Sequence, residues 1–239
     1  MRNIITIPIN DLDTLIIASD NSGAIGMKND DHVHVPYETV AYYSFRVAAM
    51  ECIAAGGEPI SVVLHNFCGN EPWEELVKGI QAGLDELNLH HVLITGSTES
   101  NFSLMQSAVG LVVIGKKLGA ETKRVDYWKY LKFAIVGLPL IGNEVVQQAH
   151  QVAPLSLFHK LCKEKKMIIW PVGSKGILYE LNQIFPKLKW SKDMIVSDVD
   201  VCKSSGPSTC FIVAYHHELE EKLLKLAGEY LHPLQLYHL

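Results

Sequence analysis

The chain has 239 residues, of which 48% are hydrophobic and 20% are charged, and its formal net charge at pH 7 is -5. No apolar run approaches the roughly 20 residues that a membrane-spanning helix needs, so we expect a soluble protein with no membrane partner. The negative charge and the short, scattered groups of basic residues disfavour binding to nucleic acid. The composition does not exclude a small anionic substrate, because a local positive patch would be enough to bind it.

The amino terminus and the cysteines indicate a cytoplasmic protein. The first residues lead directly into a strand-like alternation and lack the charged segment, apolar core and cleavage site of a secretion signal. The five cysteines are odd in number, and they lack the paired short spacing of a zinc site or a disulfide framework. We therefore expect them to be reduced and structural.

The first predicted elements surround an acidic, glycine-bearing loop. The patterns predict strands over residues 4–9, 14–19 and 32–35, with the loop over residues 19–31. Small residues around Ser22 and Gly23 would let backbone N–H groups approach phosphate oxygens, and Lys28 would supply a cation. A simple turn explains the glycines equally well. The chain contains neither a P-loop nor a dinucleotide-binding glycine motif, which excludes the two commonest nucleotide folds.

A helix, a sharp corner and a buried strand follow. Residues 37–55 contain no glycine or proline and alternate apolar with small residues, which predicts a helix packed closely against a sheet. Gly56 and Gly57 can end this helix in a left-handed conformation, and Pro59 prevents its continuation. Residues 60–64 then form an apolar run typical of a strand covered on both faces.

The remaining patterns predict two domains and an α+β fold. The other predicted helices are residues 72–87, 144–151, 154–165, 177–185 and 217–230, and the other predicted strands are residues 92–95, 106–115, 133–138, 167–170 and 209–215. The polar stretch of residues 117–129 lacks apolar periodicity, so we place a domain boundary near it, between residues 1–120 and 121–239. We expect two mixed or antiparallel sheets, each with helices on one face.

Several of these segments together resemble one enzyme superfamily. They are residues 19–28 (SDNSGAIGMK), the corner Gly56-Gly57-Glu58-Pro59, and residues 95–99 (TGSTE), 107–112 (SAVGLV), 171–178 (PVGSKGIL) and 205–210 (SGPSTC). In order and spacing, they are similar to the aminoimidazole ribonucleotide synthase superfamily, which includes thiamine monophosphate kinase, selenophosphate synthetase and a hydrogenase maturation protein. The likeness covers nearly the whole chain.

The resemblance implies ATP and Mg²⁺ as cofactors, bound at the amino-terminal sheets of a homodimer. The amino-terminal domain would then bind ATP and form the dimer, and the carboxy-terminal domain would complete the substrate cleft. Asp20 matches the aspartate of the family's first acidic loop, Glu51 stands where the family usually has the aspartate of an Asn-Asp pair in the helix, and Thr98 matches a loop threonine. Ser97 replaces an acidic residue, Glu99 is displaced beyond the threonine, and Pro171 stands where several relatives have an aspartate.

These departures indicate a divergent branch. Residues 136–145 (VGLPLIGNEV) and 170–176 (WPVGSKG) are similar to the α-ribazole kinases of cobamide (cobalamin) salvage. That similarity implies phosphorylation of the 5′-hydroxyl of α-ribazole, a nucleoside-like small molecule. The alternatives are a thiamine-monophosphate-kinase-like or synthase-type enzyme that uses ATP, and a nucleotide-binding regulator without catalysis.

Phosphoryl transfer needs hard oxygen ligands for magnesium, and four carboxylates are the candidates: Asp20, Asp30, Asp31 and Glu51. Of these, Asp20 and Glu51 are also the candidate catalytic residues. Aspartates in a polar loop more often cap turns, and Glu51 could lie on a solvated stripe of its helix.

Further polar residues are candidates for binding the two substrates. Thr98 and Glu99 follow a predicted strand, where they could hold metal-bound water or ribose, or could belong to a plain turn. Asn143 and Glu144 open a helix and are candidates for substrate contact, although capping explains them too. Lys175 lies beside two glycines and could meet a phosphate or be a surface lysine.

Two histidines suggest a different kind of site. His32 and His34 have the alternate spacing that places both imidazoles on one strand face, which would make half of a transition-metal site. No third ligand is evident in sequence, although His65, His90 and His91 could approach in space. Histidines hydrogen-bonded in or near a core are the more ordinary explanation.

Overall fold

The computed structural model describes residues 4–119 and 131–237. Contacts between Cα atoms divide the chain into two compact units, one containing the first described range and the other the second. Residues 120–129 of the stretch predicted to hold the domain boundary lie outside the described residues. Within the described ranges, every helix is too short or too polar to cross a bilayer.

The amino-terminal unit contains one five-stranded sheet, a small two-stranded sheet and two helices. Its elements are β1 (Ile4–Pro8), β2 (Asp13–Gly23), β3 (Ile25–Gly26), β4 (Val33–His34), α1 (Tyr37–Ala54), β5 (Glu58–Asn66), α2 (Trp73–Glu86), β6 (Leu93–Thr98) and β7 (Ala108–Leu118). The strand order of the large sheet is β1-β2-β7-β5-β6. Its neighbouring strands are antiparallel except β5 and β6, which are parallel.

The predicted helix, corner and strand are confirmed, and local packing explains them. Gly56 ends α1 with a φ of 88°, a conformation that favours glycine. A Cβ on Gly57 would lie 2.9 Å from Sγ of Cys52 and 3.0 Å from Cδ1 of Ile16, so only glycine lets the corner pass this close to the sheet. Gly79 likewise lets α2 approach the backbone of Glu38 on α1.

Helix α1 covers one face of the large sheet. Residues that alternate along β2 face it, beginning with Ile16 and Ala18, whose side chains are buried. Because successive side chains of a strand point to opposite faces, Asp20 and Ser22 lie on the same face as Ile16 and Ala18.

In two segments that were predicted to be loops, the first residues belong to strands in the structure. Strand β2 continues to Gly23, and it pairs with β7 over its whole length. Strand β6 likewise continues to Thr98 beside β5. The polar residues there lowered the strand signal, but ladder hydrogen bonds to an existing neighbour outweigh weak local preferences.

The carboxy-terminal unit contains a second five-stranded sheet, which is entirely antiparallel. Its elements are β8 (Leu131–Val136), α3 (Asn143–Gln147), α4 (Leu155–Cys162), β9 (Met167–Pro171), α5 (Gly176–Ile184), β10 (Ile195–Ser197), β11 (Phe211–His216), α6 (Glu220–Ala227) and β12 (Leu231–Leu236). The strand order is β10-β12-β8-β11-β9. Strands β10 and β12 were not predicted, because β10 is very short and β12 contains Pro233, which weakens a strand pattern.

The α+β prediction is confirmed, and the second sheet differs from expectation in one respect. Phe158 of α4 packs against Phe211 with ring centroids 5.1 Å apart, while Leu181 of α5 belongs to the core around Ile212. Phe211 and Ile212 are adjacent on β11 and point to opposite faces. Helices therefore cover both faces of this sheet.

In the described part of the chain, the cysteines form no disulfide. Cys52, Cys68 and Cys210 are buried, whereas Cys202 is exposed. Burial raises the pKa of the Cys52 thiol to about 12. A thiol with so high a pKa is protonated at neutral pH and does not act as a nucleophile.

Candidate functional site

Most of the residues predicted to bind nucleotide lie at one end of the amino-terminal sheet. The strand register aligns Ser22 on β2 with Val109 on β7, Val109 with Asn66 on β5, and Asn66 with Thr98 on β6. These four side chains form a row across the sheet, on the face that α1 covers. We call them the strand-end row, and the loops that follow them contain the remaining candidates.

Asn66 connects Thr98 of the strand-end row to the loop that follows β5, although no sequence motif marks it. Its side-chain nitrogen donates to Oγ1 of Thr98 at 3.1 Å and to the carbonyl of Gly69 at 2.7 Å, and its side-chain oxygen accepts from the backbone N–H of Cys68 at 2.8 Å. The residue is 1% exposed. The signal available in the sequence was a polar residue at the end of an apolar, strand-like segment.

Lys28 joins two loops beside the strand-end row. Its ammonium group donates to the carbonyl of Leu104 at 2.8 Å and to that of Phe67 at 3.4 Å. An ammonium group has three donors, so one N–H remains for a further acceptor. Lys28 is therefore placed to stabilise a negative charge at the strand-end row.

Asp31 accepts a network of hydrogen bonds that joins its loop to Ser107. One carboxylate oxygen accepts from the backbone N–H of Ser107 at 2.7 Å. The other accepts from the Ser107 hydroxyl at 2.7 Å and from the backbone N–H of Lys28 at 2.9 Å. Burial acts to raise the pKa of Asp31, but these hydrogen bonds outweigh it and hold the pKa below its usual value. Both oxygens have donors in this network, and the assignment of Asp31 as a metal ligand stays a prediction.

The same contacts bring the start of α1 to this end of the sheet. The hydroxyl groups of Tyr37, the first residue of α1, and Ser107 are 3.1 Å apart. A Cβ on Gly26 would lie 2.5 Å from Oγ of Ser107 and 2.8 Å from the Tyr37 ring. The amino terminus of a long helix carries a partial positive charge, which favours an anionic ligand nearby.

Asp20 is the predicted carboxylate with the most unusual environment. It lies on β2, one position along the same sheet face from Ser22, and accepts a hydrogen bond from the side chain of Ser44 on α1. Burial raises the pKa of Asp20 to about 7, which hydrogen bonds from Asn21 and Ser44 only partly offset. A nearby cation would stabilise the charged form of such a carboxylate.

Glu51 lies toward the other end of α1 and is not placed as a partner of Asp20. Its neighbour Cys52 packs against Gly57 and Gly115, at the level of Ile16 on β2. Four residues separate that level from Asp20, which corresponds to about 13 Å along a strand. Asp20 and Glu51 therefore lie at different levels along α1, and the prediction that both bind magnesium stays a prediction.

The other candidates of this unit are loop residues. Asp30 is exposed, and its carbonyl accepts from the side chain of Gln106 at 2.7 Å. Glu99 has one carboxylate oxygen 2.7 Å from the backbone N–H of Asn101 and 3.3 Å from that of Phe102, so it caps a turn. A Cβ on Gly23 would meet nothing within 4 Å, so packing does not require glycine there.

The described residues fit a phosphate site with one hard metal ligand better than a cluster of metal ligands. Among these residues, a set of three potential metal ligands with ligand atoms within 4.8 Å of one another lies in the second unit. It consists of His216, His217 and Glu218. The four predicted carboxylates form no such set. Asp20, which is partly buried, is the carboxylate that suits Mg²⁺, and the strand-end row, Gly23 and Lys28 offer donors and space for phosphate.

The predicted substrate residues lie on neighbouring loops of the carboxy-terminal unit. Lys203 donates to Glu144 at 3.0 Å, and a Cβ on Gly176 would lie 2.8 Å from the carbonyl of Lys203. The loops before α3 and α5 therefore meet the loop before β11. Asn143 is exposed, and the ammonium group of Lys175 lies 4.5 Å from the centroid of the Tyr179 ring.

Comparison with known proteins gives a fold but no sequence relative. No protein-family model matches the chain, and no curated protein matches its sequence. A solved structure of T. maritima PurL complexed with ATP matches with a TM-score of 0.63 and 11% identity, over 100% of this chain and 42% of that chain. The chain thus spans less than half the length of that protein.

Two further structures match over most of both chains. Thiamine-monophosphate kinase from Stenotrophomonas maltophilia matches with a TM-score of 0.59 and 11% identity, over 99% of this chain and 90% of that chain. A chain of a HypE-HypF complex matches with a TM-score of 0.60 and 14% identity, over 97% and 86%. The protein therefore has the fold that these structures share, which is the fold that the resemblance in its sequence predicted.

Proposed function

We propose that the protein is an ATP- and magnesium-dependent phosphotransferase that acts on an alcohol group of a nucleoside-like small molecule. The observation that supports it most is the gathering of Asp20, Ser22, Lys28 and Thr98 at one end of the first sheet, although 78 positions separate Asp20 from Thr98 in sequence. Because the identities to solved structures are low, the fold alone does not assign the activity.

Different residues at this end of the sheet would bind the magnesium ion and the phosphates of ATP. Asp20 would hold Mg²⁺, whose charge neutralises the phosphates during transfer. Lys28 and the donors around Ser22, Gly23 and Thr98 would bind phosphate oxygens. The γ-phosphoryl group would then pass directly from ATP to the acceptor oxygen, giving ADP and a phosphate monoester, while the proton of the acceptor hydroxyl is released to water.

Our specific proposal for the acceptor is the 5′-hydroxyl of α-ribazole. It is supported by the two sequence phrases that are similar to α-ribazole kinases, and these phrases form the loops before α3 and α5. Since those loops meet the loop before β11, we assign contact with the acceptor to Asn143, Glu144 and Lys175.

A homodimer is part of the proposal, and an open apolar sheet face supports it. The face of the first sheet opposite α1 contains Ile5, Ile7 and Leu93, which are 61%, 43% and 74% exposed. Across it, Ile5 pairs with Ile17, and Ile17 pairs with Ile114. Monomeric soluble proteins rarely expose a continuous apolar surface of this kind. A second copy of the chain is the occupant that we propose.

The test is ADP release from ATP with a panel of acceptors that includes α-ribazole, other nucleosides and thiamine monophosphate. We expect release that requires both magnesium and α-ribazole, together with a stable phosphate monoester in the products. ADP release that occurs only with thiamine monophosphate would support the thiamine-monophosphate-kinase-like alternative. Free phosphate with a cyclised or condensed product would support the synthase-type alternative instead.

A nucleotide-binding regulator without catalysis is the second candidate. It is favoured by the engagement of Asp31 in the loop structure and by Ser97 and Pro171, which replace acidic residues of the resembled family. Calorimetry separates the two candidates. Nucleotide binding without turnover across the whole acceptor panel would establish the regulator and exclude the kinase.

A further inference from the structure

A second cluster of metal-ligating side chains lies far along the chain from the proposed nucleotide residues. His216 ends β11, and His217 and Glu218 begin the single 3-10 turn that leads into α6. One ligand atom from each residue lies within 4.8 Å of the others. Consecutive side chains of a continued strand would point to opposite faces, so the change from strand to 3-10 turn is what brings these three together.

The spacing within this cluster suits a metal ion better than a hydrogen bond. Nδ1 of His216 lies 3.5 Å from a carboxylate oxygen of Glu218, which is beyond the usual hydrogen-bond length. Two ligands that each bind zinc at about 2.1 Å with tetrahedral angles are about 3.4 Å apart. The two atoms are therefore separated by the distance that a shared metal ion requires.

The environment of His216 gives independent support. Its Nδ1 is shielded from solvent and makes no hydrogen bond to any residue in the described part of the chain. Buried polar atoms normally have a partner, and a buried one without a partner needs an explanation. The imidazole rings of His216 and His217 are neighbours, with centroids 4.3 Å apart and planes inclined at 42°, so a second imidazole lies close to His216.

We propose that His216, His217 and Glu218 bind one divalent transition-metal ion of the zinc class. Two imidazoles and a carboxylate are ligands that zinc prefers, whereas magnesium prefers oxygen ligands alone. Three protein ligands leave a further coordination position for water. The bound ion links the end of β11 to the turn that begins α6, and it stabilises the carboxy-terminal unit.

One contact competes with the metal ion. The ammonium group of Lys166, just before β9, lies 3.1 Å from the same carboxylate oxygen of Glu218. The side chains of this ion pair are 66% and 54% exposed, and exposed pairs contribute little to stability. Removing Lys166 therefore increases the affinity for the metal ion, which is an effect that a merely structural ion pair does not predict.

The test is titration of the metal-free full chain with Zn²⁺ against a chromophoric chelator. We expect one equivalent to bind, with affinity reduced at least tenfold in His217→Asn and in Glu218→Gln. In Lys166→Met we expect affinity to rise about two- to fivefold, the range that an exposed ion pair allows. Millimolar Mg²⁺ leaves all of these values unchanged.

The control is another histidine beside a carboxylate. His90 lies 3.1 Å from Asp85, and neither residue belongs to the three-ligand cluster, so His90→Asn should leave zinc affinity unchanged. Thermal unfolding gives a second measurement, because a ligand of the native state raises the melting temperature in proportion to its binding. Zinc should raise that temperature in the wild type and in His90→Asn, and not in His217→Asn. Equal zinc affinity in the wild type, His217→Asn and Glu218→Gln would overturn the proposal.

Discussion

The carboxylate of Asp31 accepts two hydrogen bonds from Ser107, one from its backbone N–H and one from its hydroxyl, both at 2.7 Å. The two residues are 76 positions apart in sequence. Hydrogen bonds to a buried ionised group are among the stronger ones in proteins. This pair attaches the loop before α1 to the start of β7, and it fixes the position of Lys28 beside the strand-end row.

We expect Asp31→Asn to destabilise the protein, because an amide cannot accept all three hydrogen bonds that the carboxylate accepts. Losing charge-assisted hydrogen bonds at a buried site should lower the free energy of unfolding by about 2–3 kcal/mol. Urea denaturation measures the change. Asp30→Asn is the matched control, since Asp30 is exposed. A similar loss in both variants would contradict the role assigned to Asp31.

Asp20→Asn should stabilise the protein at high pH and abolish turnover. Burial raises the pKa of Asp20 from 3.8 to about 7, so the native state binds this proton more tightly than the unfolded chain does. The contribution of Asp20 to stability is therefore fully present below pH 3.8 and is lost as pH rises through about 7. At about pH 8 the amide should be more stable than the carboxylate by about 1–3 kcal/mol, and by less at about pH 5.

Denaturation of Asp20→Asn and the wild type at both pH values measures this difference. ADP release in the presence of acceptor measures the effect on activity. If the variant is folded and keeps full turnover, Asp20 has no part in the mechanism. If its stability relative to the wild type is the same at both pH values, the raised pKa of Asp20 is incorrect.

Gly23→Ala and Gly96→Ala form a pair that separates ligand binding from packing. A Cβ on Gly23 has open space, so the alanine variant should be as stable as the wild type or slightly more so. We expect it to weaken ATP binding at least tenfold, because the methyl group occupies space needed by phosphate. A Cβ on Gly96 would overlap the carbonyl oxygen of Leu64, so Gly96→Ala should destabilise the sheet strongly.

Calorimetry with ATP and thermal unfolding measure the two effects. Unchanged ATP affinity in Gly23→Ala would place the phosphates elsewhere in the protein.

Ile7→Lys should dissociate the proposed dimer without unfolding the chain. Ile7 is 43% exposed on the open face of the first sheet, where a lysine is solvated in the monomer but must lose its water in an interface. Light scattering coupled to size exclusion measures the mass. Thr6→Lys is the control, since Thr6 is an exposed neighbour on the opposite face of β1. A wild type that is monomeric at micromolar concentration would exclude the dimer.

The sequence predicted those parts of the site that depend on short segments. The corner at Gly56 and Gly57 was recognised because its glycines and proline act through local backbone geometry. Ser22, Lys28 and Thr98 were proposed from short motifs, and the structure places Ser22 and Thr98 in one row. Asn66 and Ser107 were missed, because their importance comes from partners that are distant in sequence, namely Thr98 and Asp31.

The metal ligands show the same division between local pattern and spatial arrangement. Glu51 stands at an acidic position of the resembled family and Asp31 belongs to the acidic loop, but only the structure shows the hydrogen bonds of Asp31 and the position of Glu51 along α1. His216, His217 and Glu218 were not singled out in sequence, since three adjacent residues converge only where a strand changes into a 3-10 turn.

By itself, the sequence determined the α+β class, the order of most helices and strands, and the short motifs around Asp20 and the glycine corner. These follow from periodicity and backbone preferences that act over a few residues. Only the tertiary structure decided which polar groups meet, because strand register and helix packing place residues such as Ser22 and Thr98 in one row. The burial that raises the pKa of Asp20 has the same origin, since desolvation depends on all the elements packed around a group.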